Sequence, residues 1–190
     1  IKDQDTNGDG QITDADKRRL GKSGKPRGQF GINLNMSYKG FYLSALFQGS
    51  TKFNMYVAGS LGMQTGQTYG MPVAYDYQTD FWTPDNRDAQ YPRLMANTAL
   101  NQNNNYASSD FWLINGAYLR MKDFQFGYDF KYSLLKNVSW LTRCKMGISG
   151  QNIFTISQAT KYGMDPEPSD TNYYGYPVER TIALTLNLGF

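Results

Sequence analysis

The segment TIALTLNLGF, residues 181–190, decides the fold. Ile182, Leu184, Leu186, Leu188 and Phe190 are large and apolar, while Thr181, Ala183, Thr185, Asn187 and Gly189 are small or polar. A period of two is the signature of a β-strand. Large apolar side chains on one side and small polar ones on the other suit a strand standing between lipid and a wet barrel lumen. An amphipathic strand of a soluble sandwich would alternate too, but it has no need of an aromatic stop such as Phe190.

The same alternation recurs upstream. Phe30, Ile32, Leu34, Met36 and Tyr38 alternate with Gly31, Asn33, Asn35 and Ser37. Phe41, Leu43, Ala45 and Phe47 form the apolar face of a second strand, with Lys39-Gly40 as a tight hairpin between the two. Residues 112–132 form a long run with Phe124, Phe126, Tyr128 and Phe130 on one face. Leu119 and Met121 have the opposite parity, so a β-bulge is expected near Asp123. Residues 139–152 place Trp140, Cys144, Met146 and Ile148 opposite Arg143, Lys145, Ser149 and Gln151. Five strands are thus expected, each long enough to cross a membrane at about 9–11 residues.

Connection lengths assign the sides. Membrane barrels have short periplasmic turns and long extracellular loops. The turns at 39–40 and 133–138 are short, and the connections 51–111 and 153–177 are long. Residues 1–28 then form an extracellular loop and 29–190 the barrel strands, with the C-terminus periplasmic. Tyr38, Phe41, Trp140 and Phe190 fall at the periplasmic rim and Trp112 at the outer one. Five strands cannot close, because the smallest bacterial membrane barrels have about eight. An open edge in lipid would leave backbone groups unpaired at several kcal/mol each. The chain therefore reads as part of a larger all-β antiparallel barrel, and its opening at Ile1 reads as the interior of a longer protein.

Composition agrees. Of 190 residues, 15 are Tyr and 11 Phe, and only 18% are charged. The mean hydropathy of −0.59 and the lack of a long apolar run speak against membrane helices. There is no His, which removes the commonest general base and the Ser-His-Asp arrangement, so no enzyme is expected. Cys144 is the single cysteine and reads as a small lipid-facing hydrophobe.

The sharpest motif is DTNGDGQITDAD, residues 5–16. Oxygen-bearing side chains stand at positions 1, 3, 5, 9 and 12, with Gly10 at 6 and Ile12 at 8, which is the spacing of a calcium loop. Asp5, Asn7 and Asp9 would offer side-chain oxygens, Gln11 its carbonyl, Thr13 a direct or water-borne contact and Asp16 the closing carboxylate. An Asn/Asp/Gly turn without a metal has the same composition. Asp3 and Asp14 add nearby negative charge. The following basic cluster, Lys17, Arg18, Arg19, Lys22, Lys25 and Arg27, balances that acid as a solvated loop or meets lipopolysaccharide phosphates. It is short and lacks interleaved aromatics, so nucleic acid is not an expected partner. The two long connections carry exposed aromatics beside amides, notably FWTPDN at 81–86 and Tyr162, Tyr173, Tyr174 and Tyr176. Such residues suit a glycan or peptide ligand, and equally suit loops packing on each other.

Ordered along the chain, DTNGDG at 5–10, YKGF at 38–41, QGS at 48–50, FWTPDN at 81–86, YPR at 91–93, SDFW at 109–112, YLRMKDFQFGY at 118–128, GQNIF at 150–154, DPE at 165–167, YP at 176–177 and LTLNLGF at 184–190 resemble the C-terminal part of SusC/RagA-type TonB-dependent outer-membrane transporters. The resemblance implies a 22-stranded barrel, a SusD-like lipoprotein lid, energy from the TonB system through a plug and TonB box lying upstream, and oligosaccharide or peptide cargo. The function it implies is nutrient import across the outer membrane of a Gram-negative bacterium. The residues by themselves leave open a non-transporting barrel serving assembly or adhesion, and a secreted calcium-binding β-sandwich.

Overall fold

A computed structural model describes residues 5–11, 13–19, 24–56, 79–93, 109–167 and 178–190. The strands are β1 (Gly28–Tyr38), β2 (Phe41–Thr51), β3 (Asn54–Tyr56), β4 (Leu113–Asn115), β5 (Tyr118–Asp129), β6 (Arg143–Gln151), β7 (Thr155–Ser157) and β8 (Thr181–Gly189). The main sheet is antiparallel in the order β1-β2-β5-β6-β8, with β7 also paired to β5. Among its long strands each pairs with the next one along the chain, so the sheet is an up-and-down meander.

Register puts the alternating residues into two clean faces. Met36, Leu43, Phe126, Ile148 and Leu184 lie in one row across five strands, and Tyr38, Phe41, Tyr128, Met146 and Leu186 in the next. The row between them is small or polar, with Ser37 beside Tyr42, then Gly127, Gly147 and Thr185, and the row on the far side of Met36 is of the same kind, with Asn35 beside Ser44, then Gln125, Ser149 and Ala183. The apolar face is bare, with Leu184 84% and Leu186 63% exposed. A soluble sandwich would cover such a face with a second sheet. Among the described residues nothing does so.

Lys39 and Gly40 both have positive φ, 47° and 90°, as a two-residue type I′ turn requires. Partway along β5 the pairing slips. Leu46 faces Asp123 but Phe47 faces Met121, so Lys122 is the extra residue of a bulge. The bulge lets Leu119 and Met121 return to the apolar side. Opposite it, β6 breaks off and β7 continues the pairing, and the turn between them binds the bulge through Asn152 N to Lys122 O and Ile153 N to Met121 O, both 3.1 Å.

Two expected strands are shorter than their alternation. The run 112–132 divides, because Gly116 N bonds Phe53 O at 3.0 Å and detaches β4 to pair with β3. At its other end Asp129 accepts the Lys131 amide at 3.0 Å and winds 130–132 into a 3-10 turn. The run 139–152 begins as a turn and becomes strand only at Arg143, where Thr142 N already bonds Gly189 O at 2.8 Å. The short connection is therefore 130–142. At that end Trp140 stacks on Phe190 at 5.9 Å and 6°, and Phe41 meets Tyr128 edge-on at 4.7 Å. Trp112 is a correction. It is only 4% exposed and belongs to a cluster with Phe53, Met55, Ile114, Tyr118, Ala159 and Met164, so it is no rim residue. That cluster sits beyond the end of the sheet remote from turn 39–40 and gives the long connections a core of their own.

Candidate functional site

The polar face carries a ladder of amides and hydroxyls. Asn35 Nδ2 donates to Asn33 Oδ1 at 3.0 Å, and Ser44 Oγ donates to Asn35 Oδ1 at 2.9 Å. Nearer the turn 39–40, Tyr42 lies flat over Gly127 and Gly147. A Cβ on either glycine would come within 2.5 or 2.8 Å of the Tyr42 hydroxyl. Lys145 Nζ stands 5.5 Å from the centre of the Tyr42 ring and 3.8 Å from Asp129. The glycines thus keep a large ring folded against the wall instead of projecting from it.

At the opposite end a charged network joins wall to loop. Arg120 is 3% exposed and shares a row with Gln48 and Thr155 on the polar face. Its Nε donates to Thr155 Oγ1 at 2.9 Å, Nη1 to Glu167 Oε2 at 2.5 Å and Nη2 to Asp165 Oδ1 at 2.6 Å. Lys122, the bulge residue, donates to both Glu167 oxygens at 2.9 Å. Two cations face two carboxylates, so the cluster is formally neutral. A buried guanidinium is tolerable only when paired and fully hydrogen-bonded. Arg120 was not singled out by sequence reasoning, since its partners lie 45 and 47 residues away. The available signal was a run of charges, Arg120, Lys122 and Asp123, within a strand whose remaining faces are rich in aromatics.

The predicted calcium ligands are placed as follows. Asp5 accepts the Gly8 amide at 2.6 Å and the Gly10 amide at 2.8 Å. Asn7 Oδ1 accepts the Asp9 amide, and Asp9 Oδ1 the Gln11 amide. Asp16 accepts the amides of Thr6, Asn7 and Thr13, and Thr13 caps the 3-10 turn 14–16. These amides hold the Asp16 carboxyl below the usual carboxylate range, Thr13 most strongly, against the opposing effect of burial. The donor set is chemically right for calcium, being all hard oxygen. In this arrangement the carboxylate oxygens of Asp5 and Asp16 and one of Asp9 are turned onto the loop's own backbone amides, and the other Asp9 oxygen onto Asn7 Nδ2. Among the described residues no three His, Cys, Asp or Glu side chains are placed together to hold an ion. Asp3, Ile12 and Lys22 lie outside the described residues. Of the basic cluster, Lys17 pairs with Asp14 at 2.7 Å and Arg18 donates to Thr6 O at 2.8 Å, so both brace the loop.

The loop motif at 81–93 is a stapled unit. Asp80 accepts from Asn86 Nδ2 at 3.2 Å and from the Gln90 amide at 3.1 Å, and Trp82 N bonds Tyr91 O at 2.9 Å. Phe111 meets Tyr91 at 6.4 Å and Trp112 at 4.8 Å, both edge-on. An open cleft of about 370 Å³ lies between Trp82, Tyr91 and Phe111, with Arg87 and Arg93 also lining it. Tyr173, Tyr174 and Tyr176 lie outside the described residues.

Comparison with known proteins follows the same lines. No family model matches the chain. TonB-dependent receptor P3 of Formosa agariphila is 28% identical over 201 residues, covering 98% of this chain and 18% of the receptor. TonB-dependent receptor P26 of the same organism is 27% identical over 199 residues, again covering 98% of this chain and 19% of its own. Among solved structures, the RagAB peptide importer in its closed-closed state superposes with a TM-score of 0.69 at 21% identity, over 95% of this chain and 19% of that one. Its open-open state gives 0.61 over the same shares. The chain thus spans about a fifth of the length of these relatives. They bear out the resemblance drawn from the motifs, and the superpositions establish the fold as a portion of an antiparallel β-barrel.

Proposed function

We propose that this chain is the C-terminal wall and outer-loop surface of a TonB-dependent importer in the outer membrane of a Gram-negative bacterium. One observation carries the reading: a continuous meander with a bare apolar face and a hydrogen-bonded polar face, alike over nearly its whole length to TonB-dependent receptors. A bare apolar face belongs against lipid, and a polar one against a watery lumen. The end bearing turn 39–40, connection 130–142 and Phe190 faces the periplasm. The loop core, the 81–93 unit and residues 5–19 face outward, near lipopolysaccharide. Cargo is oligosaccharide or peptide, captured beneath a SusD-like lipoprotein and released inward when TonB pulls on a plug supplied from elsewhere in the protein. The work of these residues is containment and contact, without bond chemistry. Calcium at 5–16 would be held by Asp5, Asn7, Asp9, Gln11, Thr13 and Asp16 and would stiffen an exposed loop.

The test is uptake by cells carrying the full-length protein with and without TonB. Loss of growth on a sole oligosaccharide or peptide source when either is deleted supports import. Unchanged uptake of every such source without the protein would reject it in favour of a non-transporting barrel. The sandwich alternative has against it the uncovered row Met36, Leu43, Phe126, Ile148 and Leu184.

A further inference from the structure

The cleft at the stapled loop has the chemistry of a binding site that the barrel reading does not require. We infer that it takes an acidic saccharide, a sugar ring bearing carboxylate or sulfate, in the outer vestibule. Three observations combine. Trp82 and Phe111 are 37% and 38% exposed, although large aromatics in a packed loop would ordinarily be covered. Phe111 is also held, gripped edge-on between Tyr91 and the buried Trp112, and the backbone that carries Trp82 is tied to Tyr91 O. Rigid exposed aromatics give a platform at little entropic cost. Finally, Arg87 and Arg93 line the same cleft, and neither is paired with a carboxylate among the described residues. The Arg87 Nε–H is used on Pro84 O at 3.2 Å, which orients the guanidinium and leaves its terminal nitrogens to a ligand.

Planar guanidinium groups bind carboxylate and sulfate through paired hydrogen bonds. Aromatic faces accept the C–H face of a pyranose. An open cleft suits a flat ring more than an inserted peptide side chain. The inference rests on the import reading, since it names the class of cargo first met at the surface.

The full-length barrel with its lipoprotein partner, purified in detergent, would be titrated with oligogalacturonate, sulfated dextran oligomers, neutral malto-oligosaccharide and an acidic peptide. The expected result is binding of the acidic saccharides, weakened at least tenfold by Arg87→Gln with Arg93→Gln and by Trp82→Ala, and weakened by salt. Heat-modifiable migration on gels shows that each variant is folded. Failure to bind either acidic saccharide overturns the inference. So does binding that is indifferent to the variants, or tighter binding of the acidic peptide or the neutral sugar. Growth assays separate the two readings. If TonB-dependent uptake persists while the cleft variants change nothing, the cleft fails and import stands. If no uptake depends on the protein, import itself fails.

Discussion

At the scale of single residues, face decides tolerance. Leu186 and Thr185 are neighbours in β8, yet Leu186 stands in the bare apolar row and Thr185 beside Gly147 on the polar side. Leu186→Arg should cost about 2–4 kcal/mol near mid-membrane, whereas Thr185→Arg should leave assembly intact; urea unfolding of the barrel in vesicles would compare them. Asp16 is decided by hydrogen bonds. Its depressed pKa means that its stabilisation is present above the ordinary carboxylate range and is lost as pH falls through the lowered value. Acidification should therefore expose the bonds after Lys17, Arg18 and Arg19 to an acid-tolerant protease, and Asp16→Ala should expose them to trypsin at neutral pH. Added calcium should slow trypsin in the parent protein and do nothing for Asp16→Ala; identical rates with calcium and chelator would reject the metal.

At the scale of elements, the alternation carried most of what could be read. The slip at Leu119 and Met121 signalled the bulge, because parity is a strict consequence of the pleat. Trp112 was misplaced because a period of two reports which side a residue faces and not what covers that side. The split of 112–132 came from one contact, Gly116 N to Phe53 O, between residues far apart in sequence. The bulge makes a sharp prediction. Deleting Lys122 removes the extra residue and leaves Arg120 on the polar face, with Leu119 and Met121 still on the apolar one, in unbroken alternation. This deletion and Lys122→Ala should therefore both assemble, seen as a retained heat-modifiable band, and loss of the band on deletion alone would contradict the register. Arg120 itself links β5 to the segment around Pro166, which is fully buried. Arg120→Met leaves Asp165 and Glu167 with less neutralising charge at a partly exposed site, a loss of about 1–3 kcal/mol. Cleavage after Lys161 by externally added trypsin should become faster, with the strands themselves still protected.

At the scale of the whole molecule, the two open edges at β1 and β8 and the shortage of strands were legible from counting alone. The charged network and the cleft were not, because both join residues brought together only by the path of the long connections. The meander has a further consequence, in time instead of space. Partners along a simple up-and-down path are close in sequence, and local pairing is quick to find. The hairpin β1–β2 closes through two residues and β5–β6 through 130–142, but joining β2 to β5 must first close the long connection between them. The entropic cost of that closure grows only with the logarithm of its length, about 0.6 kcal/mol per doubling. Two hairpins should therefore gain amide protection early and dock on each other afterwards, an order that pulsed hydrogen exchange during refolding into detergent would resolve. Simultaneous protection of the β1–β2 and β2–β5 ladders would contradict it.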